Sequence, residues 1–212
     1  MTCHPLPNLI IASDVFISIV MIRKLFVLFF QLKGWKIDPH LPAGHQRCVV
    51  IAAPHTSNWD FVYALAVFFK LGMPVKFLAK KELFKWPLSI LLNAFGGMPV
   101  DRKKNNKLVD AMVDLFSENK NLMLLIPAEG TRSYVQKWKT GFYHVALRAN
   151  VPVLLGYLDY EKKMAGFGPL LTMTGNGQHD AAHIKSFYKD IKGRYPELFH
   201  LEGLIMEPPQ SP

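Results

Sequence analysis

His55 and Asp60 stand five residues apart in Pro54-His55-Thr56-Ser57-Asn58-Trp59-Asp60, directly after the apolar run Cys48-Val49-Val50-Ile51-Ala52-Ala53. A histidine and a carboxylate at this distance suit general-base chemistry: across a tight corner the carboxylate reaches one imidazole nitrogen and leaves the other pointing outward. The same residues support a plainer arrangement. Ser57 with Asp60 three residues later reads as a capping box ahead of the apolar segment 61–69, where Asp60 satisfies backbone donors and favours a helix N-terminus. Both readings put His55 on a corner between a strand and a helix, with Asp60 on the first helical turn.

A second apolar run, 122–126, delivers Pro127-Ala128-Glu129-Gly130-Thr131-Arg132-Ser133. Gly130 permits a close backbone approach, Thr131 and Ser133 offer hydroxyls, and Arg132 offers a planar fork of donors suited to an anion. The alternative is a loop ion pair between Glu129 and Arg132. Gly96-Gly97-Met98-Pro99-Val100-Asp101-Arg102 reads as a short strand ending in an Asp-Arg pair, and Arg102 is either a surface ion-pair partner or a phosphate ligand. His179 and His183 stand four apart with Asp180 between them, a spacing compatible with a metal, but solvated surface histidines are the better expectation and no metal is expected. A Gly-x-Ser-x-Gly nucleophile elbow does not occur in the chain.

The elements that must position these residues alternate along the chain. Strand candidates at 48–53, 75–79, within 96–102, and at 122–126 and 151–156 are separated by helix candidates at 61–69, 106–118 and 142–148. Such alternation predicts an α/β fold: a single domain with a mixed, mostly parallel sheet covered by helices on both faces, its strand ends converging on one rim. Residues 15–32 are nearly all apolar, yet Arg23 and Lys24 fall in the middle, at about 2.5–3.5 kcal/mol each on an insertion scale. Lys24 and Gln31 share one helix face, so this segment reads as an interfacial membrane helix rather than a span, with a buried core helix as the alternative. Met21 heads an alternative beginning. Residues 1–44 are assigned to this extension and its Gly- and Pro-bearing link, and 45–212 to the catalytic α/β domain. Residues 80–95 interleave cations with large apolar side chains, as a membrane interface does, with an ordinary solvated basic face beside the core as the equal alternative.

Half of the 212 residues are apolar and 19% are charged, so a packed core is expected. A formal charge of +9 points to an anionic partner, and a membrane surface or a phosphorylated substrate fits better than nucleic acid, for which no reading motif is present. Cys3 and Cys48 are too few and too far apart for a disulfide framework.

Taken together, these blocks resemble the glycerolipid acyltransferases of the lysophosphatidic acid acyltransferase family. His55 and Asp60 fall on its His-x4-Asp motif, residues 97–102 look like its second block, Glu129-Gly130-Thr131-Arg132-Ser133 its third, and Val151-Pro152-Val153 its fourth. The sequence departs from the pattern at Pro54 (Asn in many members), at Ala128 (Pro in most), and near Leu155, where a proline is absent. The resemblance implies transfer of a fatty acyl group from an acyl thioester, acyl-CoA or acyl carrier protein, to the hydroxyl of a lysophospholipid, most simply lysophosphatidic acid giving phosphatidic acid. It implies His55 and Asp60 as the catalytic pair and Arg102, Glu129, Gly130, Thr131 and Arg132 as substrate-binding residues. It further implies no cofactor and a peripheral or monotopic place on the cytoplasmic face of a membrane. The competing expectations are another lysolipid acceptor, a thioesterase in which His55 activates water, and a non-enzymatic lipid-binding protein.

Overall fold

The computed structural model describes residues 7–100 and 105–207, and of residues 7–16 and 105–107 the backbone alone. Seven strands form one sheet: β1 (Lys36–Ile37), β2 (Cys48–Ala52), β3 (Val75–Lys80), β4 (Gly97–Val100), β5 (Met123–Pro127), β6 (Val153–Asp159) and β7 (Met164–Leu171). Their order across the sheet is β1-β7-β6-β2-β5-β3-β4. Every neighbouring pair is parallel except β6 and β7, which form an antiparallel hairpin. The expected mixed, mostly parallel α/β sheet is therefore the observed one.

Among the described residues six α-helices flank it: α1 (Pro7–Leu32), α2 (Trp59–Leu71), α3 (Leu88–Ala94), α4 (Asn105–Glu118), α5 (Gly141–Ala149) and α6 (Gly177–Tyr188). Strand side chains alternate faces, and this divides the core in two. Val49, Ile51, Leu124, Val153 and Leu155 face Met112, Phe116, Phe142, Val145, Ile184 and Tyr188 of α4, α5 and α6. Val50, Met123, Leu125 and Leu154 face Phe30 of α1 and Tyr63, Leu65, Ala66 and Phe68 of α2. Because the central strands are buried on both faces, their sequences read as unbroken apolar runs. Gly72, at φ +66°, ends α2 in the left-handed conformation, its N–H returning to Phe68 O and Phe69 O.

The N-terminal helix begins at Pro7, earlier than the expected 15, and one of its faces packs as the alternative core-helix reading expects. One face is core: Phe30 is fully buried, Phe26 meets Phe69 and Phe95 edge-on, and Phe29 stacks on Trp59 and Tyr63. Arg23 belongs to the protein rather than to a lipid-facing stripe. Its Nη2 donates to Ala94 O, 2.6 Å away at the end of α3, and its guanidinium lies over the Phe69 ring. The opposite face exposes Ile17, Met21, Leu25, Leu28 and Leu32, which recur at helical spacing. Among the described residues no helix is long and apolar enough to cross a membrane. Within the Gly- and Pro-bearing link, Lys36–Ile37 adds the edge strand β1 beside β7. The strand expected at 151–156 extends to Asp159, three residues beyond the predicted end.

Candidate active site

Parallel pairing of β2 with β5 and β6 brings three strand ends to one rim, for Ala52 lies opposite both Pro127 and Gly156. Beyond these ends come His55, Glu129 and Tyr160, and α2 begins at the same rim with Asp60 on its first turn. Such a rim is where open α/β sheets bind ligands.

His55 Nδ1 and Asp60 Oδ2 are 3.2 Å apart. Asp60 is almost fully buried, and its carboxylate is completely engaged: Oδ2 also accepts the backbone N–H of Thr56 and of Ser57, each at 2.9 Å, while Oδ1 accepts the Tyr160 hydroxyl at 2.6 Å. Dyad and cap are thus one structure. The two backbone bonds close the corner as a capping box would, and they fix the carboxylate that faces the imidazole. Ser57 itself does not cap α2; its Oγ accepts the Trp59 N–H at 3.2 Å, and Asn58 is the N-cap residue. Nδ1 facing a carboxylate carries the proton, which leaves Nε2 as the basic nitrogen. Nε2 has no partner among the described residues, and the His55 side chain keeps 18% of its exposure.

Glu129 is 1% exposed and turned inward, where its Oε1 accepts the His55 backbone N–H at 2.7 Å. The alternative loop ion pair with Arg132 does not form, and the carboxylate expected to bind substrate is enclosed by the protein. Burial pushes the Glu129 carboxyl up from 4.5 to about 8; the His55 N–H opposes this and the nearby Asp60 charge adds to it. Oε2 is buried without a hydrogen-bond partner among the described residues, as suits a carboxyl held neutral. Gly130 turns the chain at φ +73°, so tightly that any Cβ would overlap the Lys139 side chain. Thr131 and Arg132 are exposed; Thr131 Oγ1 accepts the Ser133 N–H at 3.4 Å, and no hydrogen bond or ion pair holds Arg132 among the described residues. Arg102 lies outside the described residues. His179 and His183 face each other on α6 with Nε2 atoms 3.3 Å apart, exposed and far along the chain from the rim, and no cluster of three metal-ligating side chains occurs among the described residues.

Tyr160 escaped the sequence reading. It lies in the β6–β7 turn, whose backbone is held by Asp159 Oδ1 accepting the N–H groups of Glu161 and Lys162. Its ring is set edge-on against Trp35, with centroids 4.9 Å apart, and beside Tyr63. Burial and the Asp60 carboxylate both raise its hydroxyl above the ordinary tyrosine value, so it remains a proton donor to Asp60. Reading β6 to its true end would have flagged it, since it follows a buried strand as His55 and Glu129 do. Behind Asp60, Val50, Ala64, Val67, Phe68 and Phe167 line an apolar cavity of about 40 Å³. That is room for water-sized guests rather than for an acyl chain.

A family profile described as acyltransferase matches residues 37–154, more than half of the chain, so the protein belongs to the acyltransferase family. Among curated proteins it is similar to 1-acyl-sn-glycerol-3-phosphate acyltransferases from Salmonella typhimurium and Salmonella typhi, each 29% identical over 132 residues that cover 58% of this chain and 52% of the relative. The chain thus spans about half the length of the curated relatives it matches. Among solved structures it resembles the 1-acyl-sn-glycerophosphate (LPA) acyltransferase PlsC from Thermotoga maritima, with a TM-score of 0.56 at 14% identity over 84% of this chain and 79% of that one, a likeness of fold.

Proposed function

We propose that the protein transfers a fatty acyl group from an acyl thioester to the hydroxyl of a lysophospholipid, converting lysophosphatidic acid to phosphatidic acid. The observation that carries this reading is the oriented imidazole: Asp60 holds Nδ1 of His55 while Nε2 is open at the rim. His55 Nε2 removes the proton from the acceptor hydroxyl as its oxygen attacks the thioester carbonyl. The tetrahedral intermediate then collapses with loss of the thiolate, which takes the proton back from His55. One C–O bond forms and one C–S bond breaks, and no enzyme nucleophile is consumed. Asp60 offsets the transient imidazolium charge. Tyr160 and the two backbone donors keep that carboxylate from rotating. Glu129, neutral at physiological pH, acts as a positioning residue: it fixes the backbone of His55 without adding a second negative charge beside Asp60. Arg132 and Arg102 are the motif residues proposed to meet the acceptor phosphate. The thioester is carried by coenzyme A or by acyl carrier protein.

The same reading places the protein on the cytoplasmic face of a membrane. Helix α1 adjoins the end of α3 through Arg23 and Phe26, and around α3 Leu83, Trp86, Leu88 and Ile90 are exposed among Lys80, Lys81 and Lys85, with Trp86 reaching 82%. Apolar side chains interleaved with cations suit one leaflet of an anionic bilayer. The deciding experiment supplies acyl-CoA or acyl carrier protein thioester with and without lysophosphatidic acid and follows products by mass spectrometry. Phosphatidic acid is expected from the wild-type chain, and none from a folded His55→Ala variant. Free fatty acid without acylated lipid would replace transfer by hydrolysis, and equal turnover in His55→Ala would remove the mechanism.

A further inference from the structure

Beyond the family-matched region 37–154, the segment 192–195 returns to the rim and is built into the corner that holds His55. Tyr160 N–H donates to Lys192 O at 2.8 Å, and Tyr195 N–H donates to Thr56 Oγ1 at 3.2 Å. Between them Gly193 presses so closely that a Cβ there would stand 2.9 Å from Pro54 Cβ and 2.9 Å from Thr56 Oγ1. This packing leaves the next residue, Arg194, a narrow range of positions. Its guanidinium carbon lies 5.9 Å from the Trp59 ring centroid and 5.6 Å from that of Tyr195. Trp59 directly precedes Asp60, so the cation stands at the edge of the His55–Asp60 corner.

The chemistry of this arginine is unlike that of its neighbours. It is exposed and forms no ion pair among the described residues. The carboxylates of the corner do not compete for it: Asp60 has all its bonds made, and Glu129 faces the interior. A guanidinium set over two rings and bonded to the Tyr195 side chain is oriented, and the remaining donors of such a pre-aimed fork suit a phosphate better than a mobile lysine does. Its positive field also reaches the Tyr160 hydroxyl, whose ionisation it eases slightly against the dominant effects of burial and Asp60.

We propose that Arg194 is an anion-binding residue at the mouth of the site, where its fork takes a phosphate group of one of the two substrates. The inference rests on the acyltransferase reading and adds to it a residue outside every motif. A phosphate arrives either on the lysolipid or on the coenzyme portion of the donor, and the two sources are separable. Arg194→Met keeps an apolar stem across the rings and removes the charge; Arg194→Lys keeps the charge and removes the fork. KM is measured for lysophosphatidic acid against monoacylglycerol, each with acyl-CoA and with a phosphate-free acyl N-acetylcysteamine thioester. In Arg194→Met the ratio of KM for the phosphate-bearing substrate to KM for its phosphate-free counterpart is expected to rise about 10- to 100-fold, with Arg194→Lys between. A rise that follows lysophosphatidic acid with both donors identifies the acceptor phosphate, and one that follows acyl-CoA with both acceptors identifies the donor. Equal losses with every pair, or no change with any, would overturn the proposal. Equilibrium binding of the same four compounds, read by indole fluorescence, separates this from the parent reading. A phosphate preference present in the wild type and absent from Arg194→Met, without any acyl transfer, would refute the acyltransferase and leave Arg194 as an anion site; a wild type with no preference would refute Arg194.

Discussion

Two turns leave the same rim of the sheet, one after β2 and one after β5, and each carries a carboxylate a few residues beyond a buried strand. After β2, Asp60 is pulled into the corner by two backbone N–H groups and the Tyr160 hydroxyl and faces an imidazole. After β5, Glu129 has a single donor, the His55 backbone, and a second oxygen with none among the described residues. The difference is a matter of donor count. A buried carboxylate surrounded by hydrogen-bond donors stays ionised and can hold a proton-transferring partner, whereas one with a single donor is favoured as the neutral acid and serves as a spacer. Two turns of similar composition thereby take up complementary tasks, one holding charge and one holding backbone.

The sharpest way to break this comparison is to remove a member of the β2 corner. His55→Ala, or Asp60→Asn with its charge gone and its size kept, is expected to lower the rate of acyl transfer by at least about 10²–10⁴-fold in a lysolipid acylation assay, with the circular dichroism spectrum retained. A loss of less than tenfold in either variant would refute the assignment of charge to that turn.

Tyr160→Phe removes one donor to Asp60 and leaves the ring packing against Trp35 and Tyr63. About a tenfold fall in kcat, with KM for the acceptor little changed, is expected from steady-state kinetics. The converse pattern, an unchanged kcat with a raised KM, would make Tyr160 a binding residue.

Glu129→Gln tests the other turn, since glutamine keeps an acceptor for the His55 N–H and cannot ionise. In the wild type the unfolded chain loses the Glu129 proton near pH 4.5, but the folded protein holds it to about pH 8. Stability from this group is fully present below pH 4.5 and declines as pH rises toward 8, by on the order of a few kcal/mol. Melting temperatures across that window should fall more steeply for the wild type than for Glu129→Gln, with activity at neutral pH within several-fold; parallel slopes would mean that Glu129 is ionised in the fold. The smallest effect on chemistry is expected on α1: Leu25→Asn with Leu32→Asn should weaken sedimentation with anionic vesicles severalfold. Turnover on a monomeric short-chain acceptor should be spared, because Leu32, 76% exposed, packs against nothing in the core.

The unbroken apolar runs and the polar residues that end them were enough to give the mostly parallel sheet and to single out His55 and Asp60, because both signals are local. A parallel strand buried on two faces must be apolar throughout, and five residues across a corner set how far a carboxylate can reach. The direction in which Glu129 points, the bond from Tyr160 and the return of the 192–195 segment were not legible in this way. Their contacts with the corner join residues 74, 100 and 139 positions apart. Such contacts follow from the strand order that sets β6, β2 and β5 side by side. α1 divides along the same line: its apolar composition was plain from the chain, but which side chains meet α2 and which face outward was decided by how the helix docks. Local spacing specifies what a residue is able to do, and the tertiary packing selects the neighbours with which it does it.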